Sequence, residues 1–148
     1  MFLKNLSETI LFGKNFAKKL KPCSILLLKG PIGAGKTSLV QGIAEGLSIT
    51  EPITSPTFAL SHRYLSGKIP LIHMDFYRLK NSLSAEELFL EEEEELSKYG
   101  GVMIIEWPEL ILPILNSYWL IEICYGKEFG RHYKIIDNQK SINLSTRS

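Results

Sequence analysis

Cysteine is scarce in this 148-residue chain, and the two present, Cys23 and Cys124, form neither a CxxC pair nor a repeated pattern. A disulfide scaffold is thereby excluded, and both thiols read as small apolar core residues in a reducing compartment. Long apolar runs are missing too. Stretches such as Ile25–Leu28 and Val102–Ile105 fall far short of the roughly 18 residues that a membrane span needs. Near the N-terminus, Asn5, Ser7, Glu8 and Thr9 interrupt any signal-peptide core. Repeats, low-complexity tracts and linkers are lacking. Excess charge is lacking as well, and a formal net charge of +1 is not that of a chain whose whole surface meets nucleic acid. What is there is an ordinary globular composition, 45% hydrophobic and 22% charged, which excludes disorder and collagen. A chain of this length buries roughly 70% of its unfolded surface, enough for a core. The expectation is one cytoplasmic domain over residues 1–148, its core about 7–137, with a short C-terminal tail to which no role is given.

The small total charge hides a polarity. Residues 1–80 carry 11 Lys or Arg against four Asp or Glu, whereas residues 81–110 carry one Lys and nine Glu. A basic half fits a phosphate-bearing ligand, and the run Glu91–Glu95 reads as a solvated helix face or a protein contact. Ser7 is a plausible N-cap for a helix carrying Ile10, Gly13, Ala17 and Leu20 at helical spacing, stopped by Pro22. Ser24–Lys29 and Val102–Glu106 read as buried parallel strands, and Lys36–Leu47 as a helix. Phe58–Leu65 and Ile69–Phe76, joined at Ser66-Gly67, suggest a hairpin. Ser84-Ala85-Glu86-Glu87 has the form of a capping box opening an acidic helix to about Lys98. Tyr118–Cys124 and His132–Ile136, with Gly126 and Gly130 between them, suggest an antiparallel pair at one sheet edge. Strand and helix in alternation predict an α/β domain with helices packed on a mixed sheet.

Gly30-Pro31-Ile32-Gly33-Ala34-Gly35-Lys36-Thr37 fits the phosphate-loop pattern G-x-x-x-x-G-K-[ST] in full. Its glycines permit backbone conformations in which successive N–H groups point at phosphate oxygens, and the following helix aims its positive dipole end at the same place. A strand before the loop and an amphipathic helix after it supply the expected context. The fold implied is a phosphate-loop NTPase-like three-layer α/β/α domain, a mixed sheet with antiparallel strands at the C-terminal edge. The ligand implied is a nucleoside triphosphate, held by Gly33, Ala34, Gly35 and Ser38, with Lys36 on the β- and γ-phosphates and the Thr37 hydroxyl on Mg²⁺.

A magnesium ion needs further hard oxygen ligands, and ligands of α/β sheets sit at the carboxyl ends of strands. Asp75 ends Leu71-Ile72-His73-Met74-Asp75, and Glu106 ends Val102–Glu106. One acid would hold the metal while the other orients or deprotonates water, and the sequence leaves the division open. His73 reads as a strand residue rather than a ligand. Ser55-Pro56-Thr57 offers a hydroxyl that senses a γ-phosphate, or an ordinary turn. Trp107 stacks on a base or receives a partner, or else packs in the core.

Taken in order, the phosphate loop, SPTF (55–58), HMDFYRL (73–79) and EWPE (106–109) resemble the TsaE (formerly YjeE) family, the small bacterial ATPases of threonylcarbamoyladenosine synthesis in tRNA. The resemblance runs from about Ser7 to Arg131. It implies that Thr37 and Glu106 are magnesium positions, Asp75 an essential acid and Thr57 a switch-like threonine. It also makes Thr9 and Arg131 ATP contacts. The family usually has an acidic residue followed by Leu after the first loop glycine, where this chain has Pro31-Ile32. The resemblance implies ATP and Mg²⁺ as cofactors and the TsaD and TsaB subunits as partners, with tRNA met only indirectly, no membrane, and slow hydrolysis by the chain alone. A small-molecule kinase would add an Arg-bearing lid, yet no Arg stands between Arg78 and Arg131. A non-catalytic regulatory module would have little use for Asp75 and Glu106.

Overall fold

The structure, a computed structural model, describes residues 1–139, and the C-terminal tail beyond lies outside the described residues. In chain order it contains β1 (Phe2–Leu3), α1 (Leu6–Phe16), β2 (Ile25–Lys29), α2 (Lys36–Gly46), β3 (Ser61–Tyr64) and β4 (Leu71–Asp75). Then follow α3 (Ser82–Tyr99), β5 (Val102–Glu106), β6 (Tyr118–Tyr125) and β7 (Arg131–Asn138). A seven-stranded sheet has the order β1-β7-β6-β2-β5-β4-β3. β6, β2, β5 and β4 are mutually parallel, while β7 and β1 on one side and β3 on the other pair antiparallel.

The parallel centre explains the short apolar runs. Both faces of β2 are covered, so Leu26, Leu27 and Leu28 are all fully buried and cannot alternate with polar residues. Alternate residues still go to opposite sides. Leu26, Leu28, Val102 and Ile104 join the core under α1 and α2, whereas Leu27, Ile72, Met74 and Met103 join the core under α3. Three layers result, α/β/α. Truncating one such buried leucine to alanine costs about 2–5 kcal/mol. The two helices on the first face approach so closely that glycine is required at the crossing. A Cβ on Gly42 would lie 2.3 Å from the Ile10 carbonyl oxygen, and one on Gly13 2.7 Å from that of Leu39.

Several local expectations are corrected. The N-cap of α1 is Asn5, whose side chain accepts the Glu8 N–H at 2.9 Å, and not Ser7. α1 ends at Phe16 and passes into a 3₁₀ turn over Ala17–Lys19. α3 begins before the Ser84 capping box: Asn81 is its cap, accepting the Ser84 N–H at 2.9 Å. The acidic run is not wholly solvated, because Glu92 is buried and takes two hydrogen bonds from Arg63 of β3, at 2.9 and 3.1 Å. Both cysteines are exposed rather than in the core. Cys23 lies in a turn at φ 67°, and Cys124 faces outward near the end of β6. The expected C-terminal antiparallel pair is β6–β7, and the unanticipated β1 adds outside it.

Candidate nucleotide site

β2 delivers the chain into the phosphate loop, where Gly33 and Gly35 take φ of +79° and +97°, the left-handed region that favours glycine. Gly35 caps α2 without any side-chain hydrogen bond. The first-turn N–H groups of Lys36, Thr37 and Ser38 are therefore available to an anion. Strand register brings the acids alongside. Leu28 pairs with Glu106, and Asp75 pairs with Glu106, so three parallel strands finish together.

A cleft of about 490 Å³ opens at this edge, and Lys36, Thr37, Ser38, Thr57, Asp75 and Glu106 all line it, as do Ser55, Tyr77 and Trp107. Lys36 is buried and donates to the loop's own carbonyls, Gly30 at 2.6 Å and Pro31 at 2.8 Å. Burial pushes its ammonium below the ordinary lysine value, and the carboxylates of Glu106, Asp75 and Glu109 push it back up. Its Nζ also sits 4.4 Å from the centre of the Trp107 ring. Trp107 is held at φ 57°, a left-handed conformation that costs a non-glycine residue about 1–3 kcal/mol. Its ring packs on Tyr77 at 4.9 Å between centroids, so it belongs to the cleft wall and not to the core.

The two acids differ in what they hold. Asp75 is buried, accepts the Thr57 hydroxyl at 3.0 Å through Oδ2, and accepts the Tyr77 N–H at 2.8 Å through Oδ1. Thr57 also shares a 2.8 Å hydrogen bond with Ser55. Glu106 meets His73 Nε2 at 2.6 Å through Oε2. Its Oε1 takes no hydrogen bond among the described residues, which leaves one carboxylate oxygen for a metal or water. A hydroxyl at Thr37 and a carboxylate oxygen at Glu106 make the hard donor set that suits Mg²⁺, and the glycine-shaped loop with its lysine suits polyphosphate.

A second cleft of about 320 Å³ shares Gly33, Gly35 and Ser38 with the first. Thr9, Ala34 and Arg131 line it, together with Leu3, Leu6 and Phe129. Arg131 stacks on Tyr125 at 4.6 Å and reaches the Gly33 carbonyl at 3.4 Å, while the Tyr125 hydroxyl donates to the carbonyl of Ile32. The β6–β7 hairpin thus clasps the loop. Every residue singled out for nucleotide or metal lines one of the two clefts. The sequence did not single out Tyr77, Tyr125 or the His73–Glu106 contact. Only the HMDFYRL segment hinted at the first and last of these.

A family model described as "Threonylcarbamoyl adenosine biosynthesis protein TsaE" matches residues 3–133. The chain belongs to the TsaE family. Among TsaE proteins, the tRNA threonylcarbamoyladenosine biosynthesis protein TsaE of Nostoc sp. is 41% identical over 138 residues, 91% of this chain and 83% of its own length. The protein of that name from Synechocystis sp. is 46% identical over 117 residues, 78% of this chain and 73% of its own. The crystal structure of YdiB from Bacillus subtilis superposes with a TM-score of 0.74 at 31% identity, covering 93% of this chain and 84% of that one. The phosphate-loop NTPase-like fold is therefore common to the family and this chain. Membership of TsaE places the chain in threonylcarbamoyl adenosine biosynthesis.

Proposed function

We propose that the chain is a cytoplasmic ATP-binding and ATP-hydrolysing subunit required for threonylcarbamoyladenosine modification of tRNA. It acts through the threonylcarbamoyl-transfer complex, with TsaD and TsaB as partners, and meets tRNA only through them. The observation that carries this reading is the convergence of Lys36, Thr37, Asp75 and Glu106 on one cleft at the carboxyl ends of β2, β4 and β5.

Lys36 exchanges its hydrogen bonds to Gly30 and Pro31 for the β- and γ-phosphates. Thr37 and Glu106 hold Mg²⁺, whose contribution when bound is to neutralise phosphate charge and orient the transferred group. Asp75, with both oxygens engaged by Thr57 and Tyr77, holds the Thr57 segment at the cleft, and the Thr57 hydroxyl reads the γ-phosphate by exchanging its donated bond to Asp75 for one to the phosphate. Thr9 and Arg131 meet the nucleotide from the second cleft.

Phosphate release under multiple turnover, with and without Mg²⁺ and the TsaD–TsaB complex, tests this. Hydrolysis is slow for the chain alone, needs Mg²⁺ and rises with the complex. Lys36→Ala loses about 10²–10³ in rate, as expected for a preorganised transition-state contact. Wild-type-like turnover in that variant removes the site assignment. Equal co-purification with TsaD and TsaB in ATP and in ADP removes the coupling.

A further inference from the structure

His73 is fully buried on β4, whose other residues are the apolar Leu71, Ile72 and Met74 and the strand-end Asp75. A ring with two nitrogens costs free energy there unless both are satisfied. Only one is. Nε2 makes the 2.6 Å contact with Glu106 Oε2, and Nδ1 has no hydrogen-bond partner. An apolar residue of similar size would pack in this strand without that cost. The imidazole therefore answers to Glu106. Register supports this: His73 pairs with Ile104 and Asp75 with Glu106, so the ring reaches one strand over and two residues forward, on the same face, to the strand-end carboxylate. A carboxylate acceptor makes Nε2 the protonated ring nitrogen.

We infer that His73 is a positioning residue: it pins Glu106 Oε2 and thereby fixes the direction in which Oε1 is presented to the metal. This rests on the magnesium–nucleotide reading above, and deepens it by naming what sets the metal preference of the site. Groups that hydrogen-bond a metal-ligating side chain orient it, and their loss typically costs about 10–100-fold in metal affinity or activity. Metal-free nucleotide makes no use of that orientation.

The experiment uses a matched pair, His73→Met and His73→Gln, which have similar length and differ in the N–H donor. Affinity for a fluorescent ATP analogue is measured in excess Mg²⁺ and in EDTA, with thermal melting of each variant alongside. In the wild type Mg²⁺ tightens binding. In His73→Met that gain shrinks by about tenfold, affinity in EDTA is unchanged, and His73→Gln recovers most of the gain. Introduced into a Glu106→Gln background, His73→Met changes the gain no further. Undiminished tightening by Mg²⁺ in His73→Met, or an equal loss with and without metal, overturns the inference and leaves the nucleotide reading standing. Absence of any Mg²⁺ effect in the wild type overturns the magnesium reading and the inference with it. Should His73→Met not fold, His73→Gln decides: failure to keep the gain in a folded His73→Gln protein rejects hydrogen-bond positioning.

Discussion

The cleft containing Asp75 and Glu106 is walled by strand ends and the first turn of α2, and its polar groups already hold one another. Lys36 is bonded to two carbonyls, Asp75 to Thr57 and Tyr77, and Glu106 to His73. The second cleft is walled by α1, the N-terminal strand and the β6–β7 turn, with Leu3, Leu6 and Phe129 beside Arg131. One is charged and anchored in the parallel centre of the sheet. The other sets Lys4 and Arg131 among apolar residues, has no carboxylate among its described lining residues, and adds peripheral elements to the phosphate loop. On the function proposed above, the chemistry, which tolerates little displacement, falls on strand ends, and part of the recognition falls where position depends on how helices and a hairpin pack.

Substitutions divide along this line. The largest effect belongs to Glu106→Gln, which lowers phosphate release by about 10²–10³ while ATP binding in EDTA holds. A comparable rate in the variant would erase the distinction between the clefts. Gly42→Ala comes next. Its new Cβ meets the Ile10 carbonyl at 2.3 Å, so α1 is forced away from α2. Denaturant titration should show a loss of about 1–3 kcal/mol, accompanied by weaker nucleotide binding because α1 walls the second cleft. Arg131→Ala should weaken nucleotide affinity about tenfold through loss of a charged hydrogen-bond donor, with turnover at saturating ATP within about twofold of wild type. A large fall in saturated turnover would instead move Arg131 into the chemical machinery. The smallest effect is that of Tyr125→Phe, which removes the hydroxyl bonded to Ile32 and should weaken affinity about threefold.

Much of the charged cleft was legible because its signals are local. The phosphate-loop pattern, the apolar run before it and the acids ending two strands each occupy a few adjacent residues. The rule that ligands meet strand carboxyl ends then joins them. What was hidden depends on register and packing. No local pattern announces that His73 reaches Glu106, because that requires β4 to lie beside β5 with Asp75 opposite Glu106. β1 has only two residues, too few for any periodicity. The caps misled for a physical reason: Ser7 and Ser84 have suitable side chains, but Asn5 and Asn81 stand earlier and accept the same kind of N–H. Cys23 was placed in the core on residue type alone, whereas a left-handed turn after Pro22 turns it to solvent.

The sheet's two borders bear on how molecules of this shape meet one another. One border is the two-residue β1, and the other is the four-residue β3, whose Arg63 is tied back to Glu92 and Glu95 on α3. The short β3 border, with its charge drawn back onto α3, offers little unpaired ladder for another chain to extend. Strand-on-strand addition is thereby discouraged at the β3 side, whereas at the other side β1 pairs with only Arg131 and His132 of the eight-residue β7. The apolar parallel strands that bring Asp75 and Glu106 to one edge are thus shielded from an added strand on the β3 flank alone.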